Sequence, residues 1–200
     1  TGAKASARSV QEAFDRLHEL IEKKEIRERD LVAVVIASHL IESRDGTVIA
    51  ASDTQIDAAP RPAVAGRDVA ELLGQLTDYG CRVVLFLDGL HRLEDPLASE
   101  IKPFVRELQR KRRVITFVAS KEGPSGVDDT REHGLFALGI LQVFQGADLA
   151  GARTNRAAPY TLDQFKTALR NTVLNLSERR QEAFCYIPLE VPERSLLAQP

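Results

Sequence analysis

The chain has 200 residues, 44% hydrophobic and 28% charged, which is enough to bury a sizeable core as one domain. A formal net charge of -2, with Lys+Arg and Asp+Glu nearly balanced, excludes the basic field that steers proteins to nucleic acid. No apolar run approaches the roughly 20 residues that span a bilayer, and the N-terminus lacks a signal-peptide apolar region, so a cytoplasmic setting is the default.

Ser9 with Glu12 forms a capping-box pattern around Val10, Phe14, Leu17 and Ile21, whose helical spacing predicts an amphipathic helix running out into the charged stretch 22–30. A strand is predicted from Leu31, then a turn at Arg44-Asp45-Gly46 and a short strand from Thr47 to Ala51. Pro60 and Pro62 mark a loop. A helix carrying Val69, Leu72, Leu73 and Leu76 stops near Gly80 and feeds the segment Arg82 to His91. There, Val83 to Leu87 run unbroken to Asp88 and Gly89, the pattern of a strand buried on both faces that ends in a turn.

A helix with Phe104, Val105 and Leu108 follows, with Pro103 tolerable in its first turn, then a strand from Val114 to Ala119. Gly123-Pro124-Ser125-Gly126 opens a loop. Two more helices come next, the second capped by Thr161 with Gln164 and bearing Phe165, Leu169, Val173 and Leu176. A last strand runs from Phe184 to Leu189. This alternation predicts a mostly parallel sheet between helical layers. No internal repeat or low-complexity segment appears. Cys81 and Cys185 lie far apart without metal spacing, so the sequence indicates no zinc site, disulfide framework or cofactor.

Three segments occur in an order and spacing that resemble the caspase-like peptidases, meaning caspases, metacaspases and their bacterial relatives. The first is Leu31-Val32-Ala33-Val34-Val35-Ile36-Ala37-Ser38-His39-Leu40, followed by Arg44-Asp45-Gly46-Thr47 and Ala51-Ser52-Asp53-Thr54. The second is the strand Arg82 to His91. The third is Glu132-His133-Gly134-Leu135-Phe136-Ala137-Leu138 through Gly146-Ala147-Asp148, then Tyr160 to Phe165. In that family the second strand ends Asp-x-Cys-His-Ser-Gly and its Cys is the nucleophile. Asp88 and His91 match, but Leu90 stands at the Cys position and Arg92-Leu93 replace Ser-Gly. The family's other catalytic strand leads into Ser-Gly-His-Gly. The resemblance therefore puts His39 at the general-base position and Leu40 at the glycine whose N–H helps form the oxyanion hole. Asp88 matches the acidic residue that helps metacaspases select basic side chains, and Asp53 is a second substrate-pocket candidate.

The fold implied is an α/β class, caspase-like three-layer α/β/α sandwich with a mostly parallel central sheet over 1–191, followed by a polar tail over 192–200. The family's fold begins with a strand and helix upstream of the first helix here, and the chain opens at Thr1. The resemblance thus implies a domain whose first, central strand is absent, with unpaired backbone and apolar surface left for an upstream segment or another chain to cover.

Leucine has no nucleophilic atom, and a lone imidazole at His39 offers proton transfer without a covalent route. Cys81 lies at the opposite end of its strand from Leu90, about 30 Å away at 3.3 Å per residue. Cys185 reads as a small core hydrophobe. The reading is a pseudoprotease that binds a protein or peptide ligand through the old cleft or a sheet edge, with no nucleic acid, membrane, metal or cofactor. The family includes branches that pair through a last sheet strand and branches that stay monomeric, and the resemblance makes Phe184 to Leu189 the strand through which pairing would occur, with the oligomeric state left open. An active peptidase with its nucleophile elsewhere is one alternative.

Plainer readings stand beside these. His39 also reads as a hydrogen-bonded residue at a strand end, Asp88 as the cap of a turn, Asp53 as an Asx-turn and His133 as a satisfied helix opener. Arg110-Lys111-Arg112-Arg113 reads as cations suiting a helix C-terminus. A rival class is the signalling ATPases, whose Walker B strand looks like the apolar strand ending Leu87-Asp88-Gly89-Leu90-His91-Arg92-Leu93, with Val114 to Ser120 resembling their sensor strand. Those enzymes need a Gly-Lys-Ser/Thr phosphate loop, which this sequence does not contain.

Overall fold

A computed structural model describes residues 5–43, 46–55, 61–89, 101–119, 134–145 and 161–192. In chain order the elements are α1 (Ala7–Glu22), β1 (Leu31–Ser38), β2 (Leu40–Ser43), β3 (Gly46–Gln55), β4 (Arg61–Ala65), α2 (Gly66–Asp78), β5 (Arg82–Gly89), α3 (Ile101–Arg112), β6 (Ile115–Val118), α4 (Leu135–Phe144), α5 (Leu162–Leu176) and β7 (Phe184–Tyr186). They form a four-stranded sheet in the order β1-β5-β6-β7 and a three-stranded sheet in the order β2-β3-β4. β1, β5 and β6 are parallel, and β7 closes the larger sheet antiparallel. The class is mixed α/β with a mostly parallel central sheet.

Alternation along β5 divides the core. Val83, Leu85 and Leu87 join residues of α2 and α3, among them Leu73, Leu76, Phe104 and Leu108. Val84 and Phe86 face the other way, onto Phe136 and Val143 of α4 and Phe165 and Leu169 of α5. Because helices cover both faces, every residue from Val83 to Gly89 is buried, which is why the strand reads as a continuous apolar run. Phe86 stacks on Phe117 at 5.3 Å between ring centroids and lies 6.0 Å from Phe165, so an aromatic cluster fixes the second face.

β1 is less enclosed. Val32, Val34 and Ile36 pack on the first core with Phe14 and Ile21, but Ala33, Val35 and Ala37 on the opposite face are exposed, Val35 at 57%. Among the described strands it forms one edge of the larger sheet.

Several expectations change. Helix α1 is capped by Ser6, not Ser9: the Ser6 hydroxyl accepts from the Ser9 N–H at 3.1 Å, and Glu12 pairs with Arg8 instead of closing a capping box. The Pro62 segment is strand β4, paired antiparallel with β3, with Pro62 on an outer strand where it removes no central ladder bond. The long strand from Leu31 breaks at His39 into β1 and β2, which belong to different sheets. The last strand is three residues, Phe184–Tyr186. The centre of the larger sheet holds no open slot, because β1 pairs directly with β5 from Leu31↔Arg82 to Ser38↔Gly89. The Thr161 and Gln164 capping box of α5 is present as read. The loop at Gly123-Pro124-Ser125-Gly126 and the residues Glu132 and His133 lie outside the described residues.

Candidate functional site

In a parallel sheet the carboxyl ends of the strands, where crossovers leave the sheet, are where ligands bind. Here that end carries Ser38 of β1 with His39 after it, Asp88 and Gly89 of β5 and Ala119 after β6. The register sets Asp88 opposite Ala37 and Gly89 opposite Ser38, so the step into His39 occurs beside the end of β5. The same corner joins the two sheets. The His39 carbonyl accepts from the Ala50 N–H at 2.9 Å, and the Ser38 hydroxyl donates to the Ala50 carbonyl. His39 is half-buried and held by its backbone at the hinge between β1 and β2.

Asp88 is the residue whose surroundings are least ordinary. It is 7% exposed, on the same strand face as Val84 and Phe86, and its Oδ1 has no hydrogen-bond partner among the described residues. Burial pushes its carboxyl up to about 6, because the charged form loses its water. Asp88 pairs with Ala37 in the ladder one residue before β5 ends, and the turn it would cap begins at Leu90, outside the described residues. A Cβ placed on Gly134, the residue before α4, would come within 3.3 Å of Asp88 Oδ2, so the start of α4 abuts the carboxylate.

Leu40 opens β2 opposite Ile49 and is 3% exposed, with its side chain in the first core. Asp53 is exposed on β3, and its Oδ1 accepts from the Ala7 N–H of α1 at 3.0 Å, while the Ser52 N–H donates to the Ala5 carbonyl. It caps α1 from a neighbouring strand, a role that neither the pocket-wall nor the Asx-turn reading contained. Leu90, which follows Gly89, and His91 lie outside the described residues.

The cysteines stand apart from this site. Cys81 precedes β5 at the amino end of the strands, where its thiol approaches the Arg27 carbonyl at 3.5 Å, and burial, with Asp30 nearby, pushes it up. Cys185 lies in β7 opposite Phe117, half-buried against the second core. A cavity of about 310 Å3 also sits at the amino pole, between Leu31, Arg82, Ile115 and Val191, far from the strand ends that carry Asp88. Its Arg113 is engaged by Asp78 at 2.7 Å, which closes α3's basic end onto α2. Among the described residues no group of three or more His, Cys, Asp or Glu is placed to hold a metal ion, and no helix is long and apolar enough to cross a membrane.

Gly134 enters the sequence analysis only as part of the segment Glu132 to Leu138. Its contact with Asp88 joins segments far apart in the chain, and no local pattern carries that information. Compared with known proteins, the chain matches no family model and no curated protein.

Proposed function

We propose that this chain is a caspase-like domain without the nucleophilic cysteine, acting as a non-catalytic module that binds a protein or peptide at the carboxyl ends of β1 and β5. The observation that carries the reading is Asp88: a buried carboxylate with one oxygen that has no partner among the described residues, at the end of the sheet where ligands bind. A charge in that position calls for a partner, and a guanidinium or ammonium from a basic side chain supplies both the charge and the donors Oδ1 lacks. Leu90 at the nucleophile position supports the absence of catalysis, because no covalent intermediate can form on it. Leu40, with its side chain in the core, supports the same reading. The outer edge of β1, with Val35 exposed, is where an upstream segment or another chain adds a strand.

The test pairs binding with hydrolysis. The natural protein binds a fluorescent peptide amide bearing an arginine and leaves fluorogenic peptides uncut, Asp88→Asn loses the binding, and Leu90→Cys gains detectable cleavage. Hydrolysis by the natural protein that disappears in His39→Ala would identify a working peptidase and overturn the reading.

A further inference from the structure

The cavity of about 310 Å3 at the amino pole lies where the two cores meet beneath the strand starts. β1, β5 and β6 begin there side by side, and their register sets Leu31 against Arg82 and Ile115 against Val84. Leu162 at the start of α5 and Val191 beyond β7 supply walls from the second core, and Cys81 and Val83 supply walls from the first. The volume is at the small end of the roughly 300 to 1,000 Å3 of small-molecule sites, so it suits a compact molecule and not a peptide.

Charge enters through a few side chains. Arg82 and Arg113 line the cavity as cations and Glu190 as an anion. Thr77 also lines it, but its hydroxyl is already engaged by the Gly74 and Arg112 carbonyls, so it has no proton left to donate. Arg113 follows α3 in left-handed backbone at φ 54°, where glycine would stand at lower cost. Its ion pair with Asp78 at 2.7 Å joins side chains that are 52% and 70% exposed, so the pair is weak and engages only part of a guanidinium with several N–H donors. A carboxylate at the cavity gives that costly arginine a use, and Glu190 disfavours a second negative charge.

We propose that this cavity binds a small amphipathic monocarboxylate, with an aromatic or branched apolar body among Leu31, Ile115, Leu162 and Val191 and its carboxylate on Arg113. The site stands at the other pole of the sheet from Asp88 and does not depend on the peptide reading. Cys81 is a reporter in its wall, because a ligand that fills the cavity shields the thiol.

The experiment uses the full chain and two probes of one shape, 1-naphthoate and the uncharged 1-naphthamide, at neutral pH. Titration calorimetry and the rise in melting temperature read the affinity, and mass spectrometry reads the rate at which methyl methanethiosulfonate modifies each cysteine. The wild type binds naphthoate about fivefold more tightly than naphthamide, and saturating naphthoate slows modification of Cys81 about fivefold or more while Cys185 is unaffected. Arg113→Gln removes the preference between the probes and keeps the weaker binding of the amide. Val191 is only partly buried, so Val191→Trp fills the cavity with little cost to the fold and abolishes binding of both probes. Equal affinity for the two probes in the wild type, or a preference that survives Arg113→Gln, overturns the proposal. So does naphthoate binding that leaves Cys81 unprotected or persists in Val191→Trp, since the ligand then sits elsewhere, and so does the absence of binding up to about 1 mM. None of these outcomes bears on the arginine-bearing peptide, whose binding Asp88→Asn tests separately.

Discussion

Replacing Asp88 by asparagine tests the buried carboxylate through stability alone. The ordinary carboxyl value is 3.8 and burial raises it to about 6 in the folded chain. That difference of about two pH units corresponds to about 3 kcal/mol at 1.36 kcal/mol per unit. Because the folded state holds the proton more tightly than the unfolded state, the associated stability is complete below pH 3.8, declines as pH rises toward 6, and is gone above it. Asparagine keeps the shape and removes the ionisation, although its amide brings a donor of its own to satisfy. The difference between the two proteins therefore changes sign. At pH 4.5 the wild type is at least as stable as Asp88→Asn, and at pH 7.5 the variant is more stable by about 1 to 3 kcal/mol. Urea unfolding at pH 4.5, 5.5, 6.5 and 7.5, analysed with a common slope, measures it. A constant difference across these pH values would show that Asp88 is not desolvated. A variant less stable than wild type at pH 7.5 would mean that a cation or donor already satisfies the carboxylate in the free protein.

The other residues give simpler expectations. Asp53→Ala removes the acceptor at the start of α1 and costs about 1 kcal/mol in thermal unfolding, with arginine-peptide binding unchanged; lost binding at unchanged stability would restore the pocket-wall role. Phe86→Ala leaves a cavity between Phe117 and Phe165 and costs about 3 to 5 kcal/mol, read as a lower urea midpoint; a cost below 1 kcal/mol would mean that the aromatic cluster is loosely packed. Alkylation at pH 8 followed by mass spectrometry labels Cys185 before Cys81, because burial raises the Cys81 thiol and hinders access to it. Preferential labelling of Cys81 would contradict its placement beneath β5.

How far these features could be read in advance depends on how local their physics is. β5 was legible because burial on both faces turns a strand into an unbroken apolar run, and the α5 capping box because its two bonds span three residues. Ser6 and Ser9 are both competent caps three residues apart, and only the chain's entry geometry selects Ser6. β4 was hidden by Pro60 and Pro62, whose turn chemistry outweighs a five-residue strand in any local reading. The break at His39 follows from bonds to Ala50 on the next hairpin arm, so the sequence from Leu31 to Leu40 looks like one strand until that partner is known.

Asp88 joins the legible and illegible parts. Its place at the end of an apolar run is plain in the sequence, but its raised value follows from burial, on a strand face that α4 and α5 cover, which no local pattern carries. At a position with Val84 and Phe86 on the same face and helices α4 and α5 above, an apolar residue would avoid a desolvation cost of about 3 kcal/mol. The alanines on the flanking strands offset none of it. That cost is the free energy that a bound cation would recover. A buried charge that weakens the fold at neutral pH and stands where parallel sheets receive ligands is better explained by what it binds than by what it stabilises.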